Sequence, residues 1–506
     1  MTANYTNLEL TRLEKLERLR AAGIEPYPTR AERTHTSQQA IRLFEAAEAA
    51  GQSEPVPAVL AGRLRSMRPM GKLTFAHIED GDGRVQLFLR ANDIGPERLE
   101  LFNREFDLGD FIQAHGEMFR TRTGEVTLKV TDFKMLAKAI TPLPAAKDEV
   151  VDGEVVRHMT LSEPELRYRQ RYADLAINPE VRQIFRTRTA IVRALREFLD
   201  ANGFIEVETP ILQPIYGGAA AKPFTTHHNQ LKQELYLRIS FELYLKRLLV
   251  GGLERVYEIG RDFRNEGVDR THNPEFTQLE FYMAYADYQQ VMELTERMIV
   301  HVADKVLGRR TLTYQGHEIN LLPPWPRIEL SEGLLELTGI DIHDYPTSES
   351  LMAAMRLKGI ETDPKATRGK LIDHLLSDYL EPTLIQPTFV YDYPRDISPL
   401  AKSKPGDPGT VERFEGFIAG MELCNAFTEL NDPLDQEQRF LEMGRDYTVE
   451  DEERHPMDDD YLRAMRYGMP PNGGFGLGVD RLTMLFTGIA NIREVILFPH
   501  LRKTEE

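Results

Sequence analysis

The stretch RVYEIGRDFRNEGVDRTHNPEFTQLEFYMAYADY, residues 255–288, decides the fold of the larger part of this chain. One alternating run leads into a long polar segment and a second leads out of it, which is typical of two antiparallel strands. A tight hairpin would carry Asn-Gly or Asp-Gly at its turn, whereas this loop carries Arg261, Asp262, Arg264 and Glu266. Such a charged loop indicates a ligand, and a solvated hairpin is the alternative.

Two further segments flank this hairpin in the sequence. Residues 179–201 have an apolar stripe at helical spacing and lead into the strand FIEVETPIL. Residues 473–488, GGFGLGVDRLTMLFTG, place glycines before a helix with Arg481 in its first turn, where backbone N–H groups favour anions. Because neither βαβ regularity nor a GxGxxG or phosphate-loop motif accompanies them, we predict an α+β fold with an antiparallel sheet flanked by helices.

The region upstream of the sheet has a different pattern. Residues 57–143 contain five short β-rich runs with turn signals between them and a helical stretch near residues 96–106, which predicts a small closed β-barrel of the OB type. We expect residues 1–56 to form a helical extension, residues 144–178 a linker and residues 179–506 the larger domain.

The N-terminal extension begins with an amphipathic helix over residues 8–22. Its basic side chains are Arg12, Lys15, Arg18 and Arg20. They either dock the helix on the next domain or contact phosphates, and we favour docking.

The composition narrows the class of protein. A length of 506 residues predicts two or three domains. The net charge of −18 argues against nucleic acid as a partner of the whole chain, although the nearly neutral barrel region can still present a basic face. The lone cysteine, Cys424, excludes an internal disulfide and a thiolate zinc cluster. With neither an apolar run of about 18 residues nor an N-terminal signal pattern, we expect a cytoplasmic protein without a membrane partner.

Taken together, the three segments resemble motifs 1, 2 and 3 of the class II aminoacyl-tRNA synthetases. Motif 2 is represented by Phe263-Arg264-Asn265-Glu266, and motif 3 by Gly476-Leu477-Gly478-Val479-Asp480-Arg481. The preceding barrel is similar to that of the aspartate, asparagine and lysine subgroup. Stretches such as GGAAAKPF, HNPEFTQLEFYMAYADY and ELCNAFTELNDPLDQ resemble the lysyl-tRNA synthetase family in particular.

This resemblance implies ATP-dependent activation of L-lysine to lysyl-adenylate and its transfer to the 3′ end of tRNA(Lys). The implied lysine-binding residues are Gly218, Glu242, Arg264, Glu280, Tyr282, Asn425 and Glu429. Carboxylates fit this role, because an ammonium in a closed pocket needs acidic partners to offset its lost hydration. For Glu280 and Glu429 the alternative is a structural ion pair with a nearby arginine.

The resemblance also implies a nucleotide site. The implied ATP-binding residues are Arg264, Glu266, His272, Phe276, Glu415, Glu422 and Arg481. The catalytic pair is Arg264, at the α-phosphate, and Arg481, at the γ-phosphate, while Phe276 stacks on adenine. Glu415 and Glu422 are implied ligands of Mg²⁺, which prefers hard oxygen donors. Their spacing of seven predicts one face of a helix or opposite faces of a strand.

In the barrel, the resemblance implies that Arg68, Phe75, Gln86 and Glu125 bind the anticodon. The alternative for Phe75 is a place in the barrel core. The motif 1 helix resembles a dimer interface, so a homodimer is expected. The chain departs from the family at Ser240-Phe241, where Ala-Pro is usual. Loss of that proline would loosen the backbone next to Glu242, the residue expected to bind the α-amino group.

Three other functions are compatible with parts of this pattern. Aspartyl- or asparaginyl-tRNA synthetases share the architecture, but their pockets require a different sign of charge. Lysine ligases that modify a translation factor resemble the catalytic half and lack the barrel. A non-catalytic relative would lose the arginines or the metal-binding carboxylates, which are all present here.

Overall fold

The computed structural model describes residues 5–144, 147–151, 154–158, 161, 163–446 and 456–503. The chain divides into two compact units, Met1–Ser162 and Glu163–Glu506. The larger unit therefore begins inside the expected linker 144–178, which contains two of its short helices. Part of the strongly acidic stretch 441–460 lies outside the described residues. Within the described part of the chain, no helix has the length and apolarity needed to cross a membrane.

The smaller unit contains four helices and seven strands in its described part. The helices are α1 Asn7–Ala21, α2 Ser37–Ala49, α3 Ala91–Ile94 and α4 Pro96–Glu105. The strands are β1 Val56–Met70, β2 Leu73–Glu79, β3 Arg84–Arg90, β4 Phe111–Arg120, β5 Val126–Ala137, β6 Lys147–Val151 and β7 Glu154–His158. The first five strands close into a barrel in the order β1-β2-β3-β5-β4, which confirms the predicted OB-type barrel.

Helix α1 docks within its own unit, as the favoured interpretation predicted. Arg12 is buried and donates to two backbone carbonyls at 2.9 and 3.0 Å. Lys15 pairs with Asp107 at 2.7 Å and Arg18 with Glu105 at 3.1 Å. These contacts support docking, while the Arg18 and Arg20 side chains stay about half exposed.

The larger unit is built on one extended sheet with helices. Its strands are β8 Ile205–Glu206, β9 Leu212–Gln213, β10 Thr225–His228, β11 Gln233–Leu237, β12 Arg255–Phe263, β13 Glu275–Ala284, β14 Thr311–Tyr314, β15 His317–Asn320, β16 Arg327–Glu329, β17 Thr388–Pro394, β18 Ser403–Lys404, β19 Asp407–Ile418, β20 Met421–Thr428 and β21 Asn472–Gly478. Its helices are α5 Pro164–Arg169, α6 Arg171–Ile177, α7 Pro179–Ala201, α8 Glu242–Val250, α9 Tyr288–Val306, α10 Leu330–Thr338, α11 Ser348–Leu357, α12 Arg368–Leu375, α13 Pro433–Asp446, α14 Asp459–Arg466, α15 Val479–Thr487 and α16 Ile492–Val495. Single turns of other helix types cover Ile342–Asp344, Leu376–Leu380, Glu381–Thr383 and Arg395–Ile397.

The strand order of the large sheet is β16-β17-β19-β20-β21-β13-β12-β8, with β18 paired to β19. Its pairings are antiparallel except at the two ends, where β8 runs parallel to β12 and β16 to β17. This confirms the predicted α+β class with an antiparallel sheet. The stretch that opened the sequence analysis forms the central pair β12 and β13, whose register joins Arg255 to Met283 and Phe263 to Glu275.

The alternation along β13 separates a core face from a polar face. Leu279, Phe281 and Met283 belong to the main hydrophobic core together with residues of α7, α9 and α15, and the ring of Phe281 stacks on Phe475 at 4.7 Å. Because neighbouring residues of a strand point to opposite sides, Glu280 and Tyr282 face away from this core.

Candidate active site

A cavity of about 530 Å³ opens on the polar face of β13. All thirteen residues expected to bind lysine or ATP line it: Gly218, Glu242, Arg264, Glu266, His272, Phe276, Glu280, Tyr282, Glu415, Glu422, Asn425, Glu429 and Arg481. These residues come from five separate regions of the sequence, and the sheet brings them together. The cavity has one end rich in buried carboxylates and another rich in arginines.

Glu280 forms the centre of the acidic end. It is 3% exposed and accepts hydrogen bonds from the Ser240 hydroxyl at 2.8 Å, the Phe241 N–H at 3.3 Å and the Tyr282 hydroxyl at 3.1 Å. Burial, and then the neighbouring Glu242, raise the pKa of Glu280 to about 7. Burial therefore makes this carboxylate harder to ionise than a solvated one, and a cation placed beside it would favour the ionised form.

Glu242 and Glu429 share an internal partner. Both are buried, and both contact the ammonium of Lys246, Glu242 through Oε1 at 2.6 Å and Glu429 through Oε2. The ion pair weighed as the alternative for Glu429 therefore exists, with a lysine in place of an arginine. Burial raises the pKa of Glu429 well above its usual range although Lys246 opposes this. Its Oε1 has no hydrogen-bond donor within the described part of the chain, which leaves an acceptor for a ligand.

Two glycines make room at the acidic end. A Cβ on Gly474 would lie 1.8 Å from Oε1 of Glu429 and 2.5 Å from the Tyr282 ring. Gly218 has a φ of +89°, and a Cβ there would lie 2.9 Å from both the Glu242 Cβ and the Ser240 hydroxyl. Side chains at either position would displace the carboxylates, so both glycines are required by the site's shape.

Where the family usually has Ala-Pro, Ser240 and Phe241 supply hydrogen bonds that hold the start of α8 in place. The Ser240 hydroxyl donates to Glu280 and also accepts the first N–H of α8, from Glu242, at 3.1 Å. Proline has no N–H, whereas Phe241 donates one to Glu280. The start of α8 is therefore tied to the acidic end by hydrogen bonds, and Glu242 still reaches the cavity.

At the basic end, Arg264 is ready for a ligand. Its Nε is buried and has no hydrogen-bond acceptor among the residues that the structure describes. Its guanidinium lies 5.2 Å from the ring centroid of Phe276, a cation–π distance. Arg481 donates to the Glu422 carboxylate at 2.9 Å and lies 3.1 Å from Nε2 of His272. The expected nucleotide residues thus form one continuous wall.

Glu415 and Glu422 lie on the adjacent strands β19 and β20, so the predicted placement on one helix or one strand is wrong. A connecting hairpin turn, which spacing alone does not reveal, puts Phe417 opposite Glu422 and Glu415 opposite Asn425. Burial raises the pKa of Glu415 to about 7 despite the guanidinium of Arg413, 2.6 Å away. Burial also opposes ionisation of Glu422, but Arg481 outweighs it and holds that pKa below its usual range.

These two carboxylates fit a divalent cation bound chiefly by substrate phosphates. Mg²⁺ commonly uses one or two protein carboxylates and completes its shell with phosphate oxygens and water. In the described part of the chain, no group of three His, Cys, Asp or Glu side chains is arranged to hold a metal by itself. A divalent cation beside Glu415 would favour its ionised form and so lower this raised pKa.

Asp480 joins the three motif segments. Its carboxylate accepts the backbone N–H of Thr277 on β13 at 2.7 Å and a guanidinium N–H of Arg188 on α7 at 2.5 Å. Arg188 also donates to the Thr277 hydroxyl at 2.9 Å. Helix α7, strand β13 and helix α15 are thereby fixed to one another by a partly buried charge pair.

In the barrel, Phe75 lies on the outer surface of β2, while its neighbours Thr74 and Ala76 are buried. The alternative of a core position for Phe75 is therefore wrong. Its ring lies 5.2 Å from that of Phe88, which lies 5.9 Å from Phe119. Sequence analysis missed these two rings, although both occur in the β-rich runs.

The other three expected anticodon residues lie beside this row of rings. The Arg68 guanidinium is 5.8 Å from the Phe75 ring centroid. The Gln86 amide donates to the Glu125 carboxylate at 2.6 Å, and His77 contacts the other oxygen of Glu125 at 2.9 Å. The result is an outer barrel surface that combines stacking rings with hydrogen-bonding groups, as base recognition requires.

Sequence analysis missed Gln278 and Arg413, which line the cavity, and Lys246, which contacts the lining residues Glu242 and Glu429 from behind. Each follows a spacing rule from a residue that was found. Lys246 is four residues after Glu242 on a helix, Gln278 is two before Glu280 on a strand, and Arg413 is two before Glu415 on a strand. These spacings put side chains on a shared face.

Comparison with known families agrees with this architecture. The family described as tRNA synthetases class II (D, K and N) matches residues 163–502, and the family described as OB-fold nucleic acid binding domain matches residues 58–136. Fold and cavity together define the class: a class II tRNA synthetase of the aspartate, lysine and asparagine subgroup.

Relatives named lysine–tRNA ligase are similar over nearly the whole chain. The protein from Roseiflexus castenholzii is 54% identical over 498 residues, which are 98% of this chain and 99% of that protein. The protein from Pelotomaculum thermopropionicum is 52% identical over 504 residues, 99% of this chain and 96% of the relative. That from Chloroflexus aurantiacus is 50% identical over 501 residues and 99% of each chain. The chain belongs to the lysine–tRNA ligase family, which confirms the resemblance found in the sequence.

Proposed function

We propose that this enzyme activates L-lysine with ATP and transfers it to the 3′ end of tRNA(Lys). The observation that carries the substrate assignment is the acidic end of the cavity, where Glu242, Glu280 and Glu429 are buried together. Burying three carboxylates is costly unless cations join them. Lysine supplies two ammonium groups, whereas aspartate and asparagine supply only the α-ammonium and bring no cation on the side chain.

Within this assignment, each end of the cavity holds one part of the substrates. Glu242 binds the α-amino group and Glu429, with Tyr282, binds the ε-ammonium, while Glu280 and Asn425 complete the wall. Phe276 stacks on adenine, with His272 and Glu266 beside the nucleotide. Gly218 gives the α-amino group access to Glu242, since a side chain there would fill that space.

The chemistry requires positioning and charge neutralisation without a protein nucleophile. The lysine carboxylate attacks the α-phosphorus in line, an oxygen–phosphorus bond forms, and pyrophosphate leaves with the electron pair of the broken bond. Arg264 bridges the two reacting groups through its planar fork, and Arg481 holds the γ-phosphate. Glu415 and Glu422 would hold Mg²⁺, which supplies further neutralisation of the phosphate charge. The terminal 3′ hydroxyl of the tRNA then attacks the adenylate carbonyl and displaces AMP.

The barrel favours tRNA as the acceptor over a protein substrate. Its outer row of Phe75, Phe88 and Phe119 offers stacking surfaces for unpaired bases. Arg68, Gln86 and Glu125 stand beside these rings and would read the edges of anticodon bases. A lysine ligase that modifies a translation factor has no use for such a surface.

We further propose that the enzyme is a homodimer that works in the cytoplasm, where tRNAs are charged. Support for the dimer comes from four apolar residues after α7 that are more than a third exposed, namely Ile205, Ile211, Leu212 and Ile215. Sedimentation equilibrium tests it: a monomer at micromolar concentration would contradict the dimer.

The function is tested by ATP–pyrophosphate exchange with lysine, aspartate and asparagine, followed by charging of tRNA(Lys). We expect exchange with lysine alone and a stable lysyl-tRNA product. Exchange with aspartate or asparagine alone would contradict the assignment of lysine as the substrate. Adenylate formation without charging of any tRNA would favour a protein acceptor.

A further inference from the structure

The most unusual side chain near the acidic end lies behind the cavity wall, and the proposed chemistry does not use it. Lys246 is completely buried, at 0% exposure, in the middle of α8. A buried lysine normally loses its charge, yet here the carboxylates of Glu242 and Glu429 outweigh the effect of burial and raise the pKa of Lys246 above its usual range. The enzyme therefore carries a buried ammonium beside a site that is itself rich in carboxylates.

The contacts of Lys246 leave half of each acidic partner free. It touches Oε1 of Glu242 and Oε2 of Glu429. The second oxygen of each carboxylate takes no part in these contacts, and Oε1 of Glu429 is without a donor in the described structure. Gly474 leaves the space next to this oxygen open. The ammonium of Lys246 thus holds the carboxylates of Glu242 and Glu429 in place while it contacts only one oxygen of each.

The count of charges at the acidic end also depends on Lys246. Glu242, Glu280 and Glu429 contribute three carboxylates, and Lys246 contributes one ammonium. When all are ionised, two negative charges are left over. Lysine brings two ammonium groups to this end of the cavity, while its own carboxylate faces Arg264. The substrate and the internal cation together balance the three acids.

We propose that Lys246 is a positioning residue that holds Glu242 and Glu429 as separate acceptors for the α- and ε-amino groups, so that the cavity selects an amino acid with two ammonium groups. This inference rests on the proposed function, because it assigns a role within the same lysine site. Lys246 acts through the two carboxylates and does not itself touch a reacting atom.

The physical reason is the mutual repulsion of the acids. Lys246 interacts with Glu242 on its own helix, Glu429 after β20 and Tyr461 on α14. Glu280 and Tyr282 on β13 interact in turn with Glu242, while Arg413 on β19 is paired with Glu415. Tyr282 and Tyr461 are neutral at physiological pH, since burial raises the pKa of each phenol. Lys246 is thus the cation in direct contact with both carboxylates, and without it each one would take up a proton more readily.

The test compares Lys246→Met, Lys246→Gln and Lys246→Arg in the full-length enzyme by ATP–pyrophosphate exchange across pH. For the two neutral variants we expect the acid limb of kcat/KM for lysine to move to higher pH by about one unit, with a rise of about tenfold in the KM for lysine at neutral pH. The KM for ATP should stay within about twofold, because the basic end keeps all its groups. Lys246→Arg, which keeps the charge, should restore the acid limb. Lys305→Met is the matched control, since Lys305 is an exposed lysine paired with Glu197 on another surface.

Four outcomes would count against the role of Lys246 or against the proposed function. An unchanged acid limb and lysine KM in both neutral variants would overturn the proposal, as would equal defects in the Met and Arg variants. If both neutral variants lose the wild-type melting transition while Lys246→Arg keeps it, the residue serves stability and the proposal falls. If the wild-type enzyme shows no lysine-dependent exchange, the proposed function is wrong. If the wild type is active and the Lys246 variants behave like it, only the role proposed for Lys246 is wrong.

Discussion

The cavity of the larger unit buries its charges, whereas the barrel of the smaller unit displays aromatic rings and polar groups on its outer surface. Glu280 and Glu429 are 3% and 0% exposed, while Phe75 and Phe88 are partly accessible. A buried charge that loses its partner keeps the full cost of desolvation. An exposed ring loses only its stacking energy. The difference predicts that substitutions in the cavity have larger effects than substitutions on the barrel.

The largest effect is expected at Arg264. Arg264→Ala removes the half-buried guanidinium beside Phe276, so we expect adenylate formation to fall by about 1000-fold, the range for loss of a preorganised transition-state donor. ATP–pyrophosphate exchange measures this. The matched control is Arg261→Ala, which removes a partly exposed arginine paired with Glu275. Near-normal exchange in Arg264→Ala would refute the catalytic role of Arg264 and the expectation that cavity substitutions have the larger effects.

A smaller loss is expected at the acidic end. Glu429→Gln keeps the shape of the side chain and removes its charge, which leaves Lys246 with a single carboxylate. We expect the KM for lysine to rise by about 100-fold, as when one partner of a buried charge pair is truncated, while the KM for ATP changes little. Glu437→Gln, an exposed carboxylate paired with Arg466, is the control. An unaltered lysine KM would refute the role of Glu429.

The pH dependence sharpens the comparison. The pKa of Glu280 is raised to about 7, and the ionised form is the one that attracts an ammonium. Lysine affinity is therefore complete above pH 7 and falls as pH drops through 7, by up to about tenfold per unit where this group dominates. A profile of kcat/KM for lysine that is flat between pH 6 and pH 8, about one unit either side of that pKa, would contradict this.

On the barrel, Phe75→Ala should separate charging from activation. Loss of one stacked base costs about 1–3 kcal/mol, so we expect the KM for tRNA(Lys) to rise by about tenfold with lysine-dependent exchange unchanged. Phe111→Ala removes another partly exposed phenylalanine of the barrel, outside the aromatic row, and serves as the control. Equal effects of both variants would show that the row has no special role.

The smallest effect is expected at Ser240. Ser240→Ala removes one of four hydrogen bonds to Glu280, and a hydrogen bond to a charged group contributes about 1.5–3 kcal/mol. Because the donors Phe241, Gln278 and Tyr282 stay in place, we expect the lysine KM to rise by about fivefold, at the lower end of that range. The acid limb should also move to higher pH, since a hydrogen bond to the ionised form is lost. A lowered lysine KM would contradict this account.

Local patterns predicted much of the fold. Helix α7 has the predicted bounds Pro179–Ala201 because its stripe, its first-turn proline and its Asn-Gly end are all local signals. The barrel and the central hairpin were predicted for the same reason. Both short helices in the expected linker escaped notice, since each is too brief to show a period.

The candidate site was harder to predict in physical detail. Family resemblance named thirteen residues that line the cavity. Only the sheet register shows that Glu415 and Glu422 lie on neighbouring antiparallel strands, with Glu415 opposite Asn425 and Glu422 opposite Phe417. Lys246 was missed because a lysine in an amphipathic helix is ordinarily a solvated residue. Its burial depends on Glu429, which lies 183 positions later in the chain and whose proximity no local pattern reveals.

The joint formed by Arg188, Asp480 and Thr277 has a consequence for heat tolerance. The three segments that it connects would each keep their secondary structure if Asp480 were replaced, yet nothing so direct would hold them in alignment on warming. We therefore expect the Asp480 variant to be active at low temperature and to lose activity on moderate warming, which is temperature-sensitive behaviour.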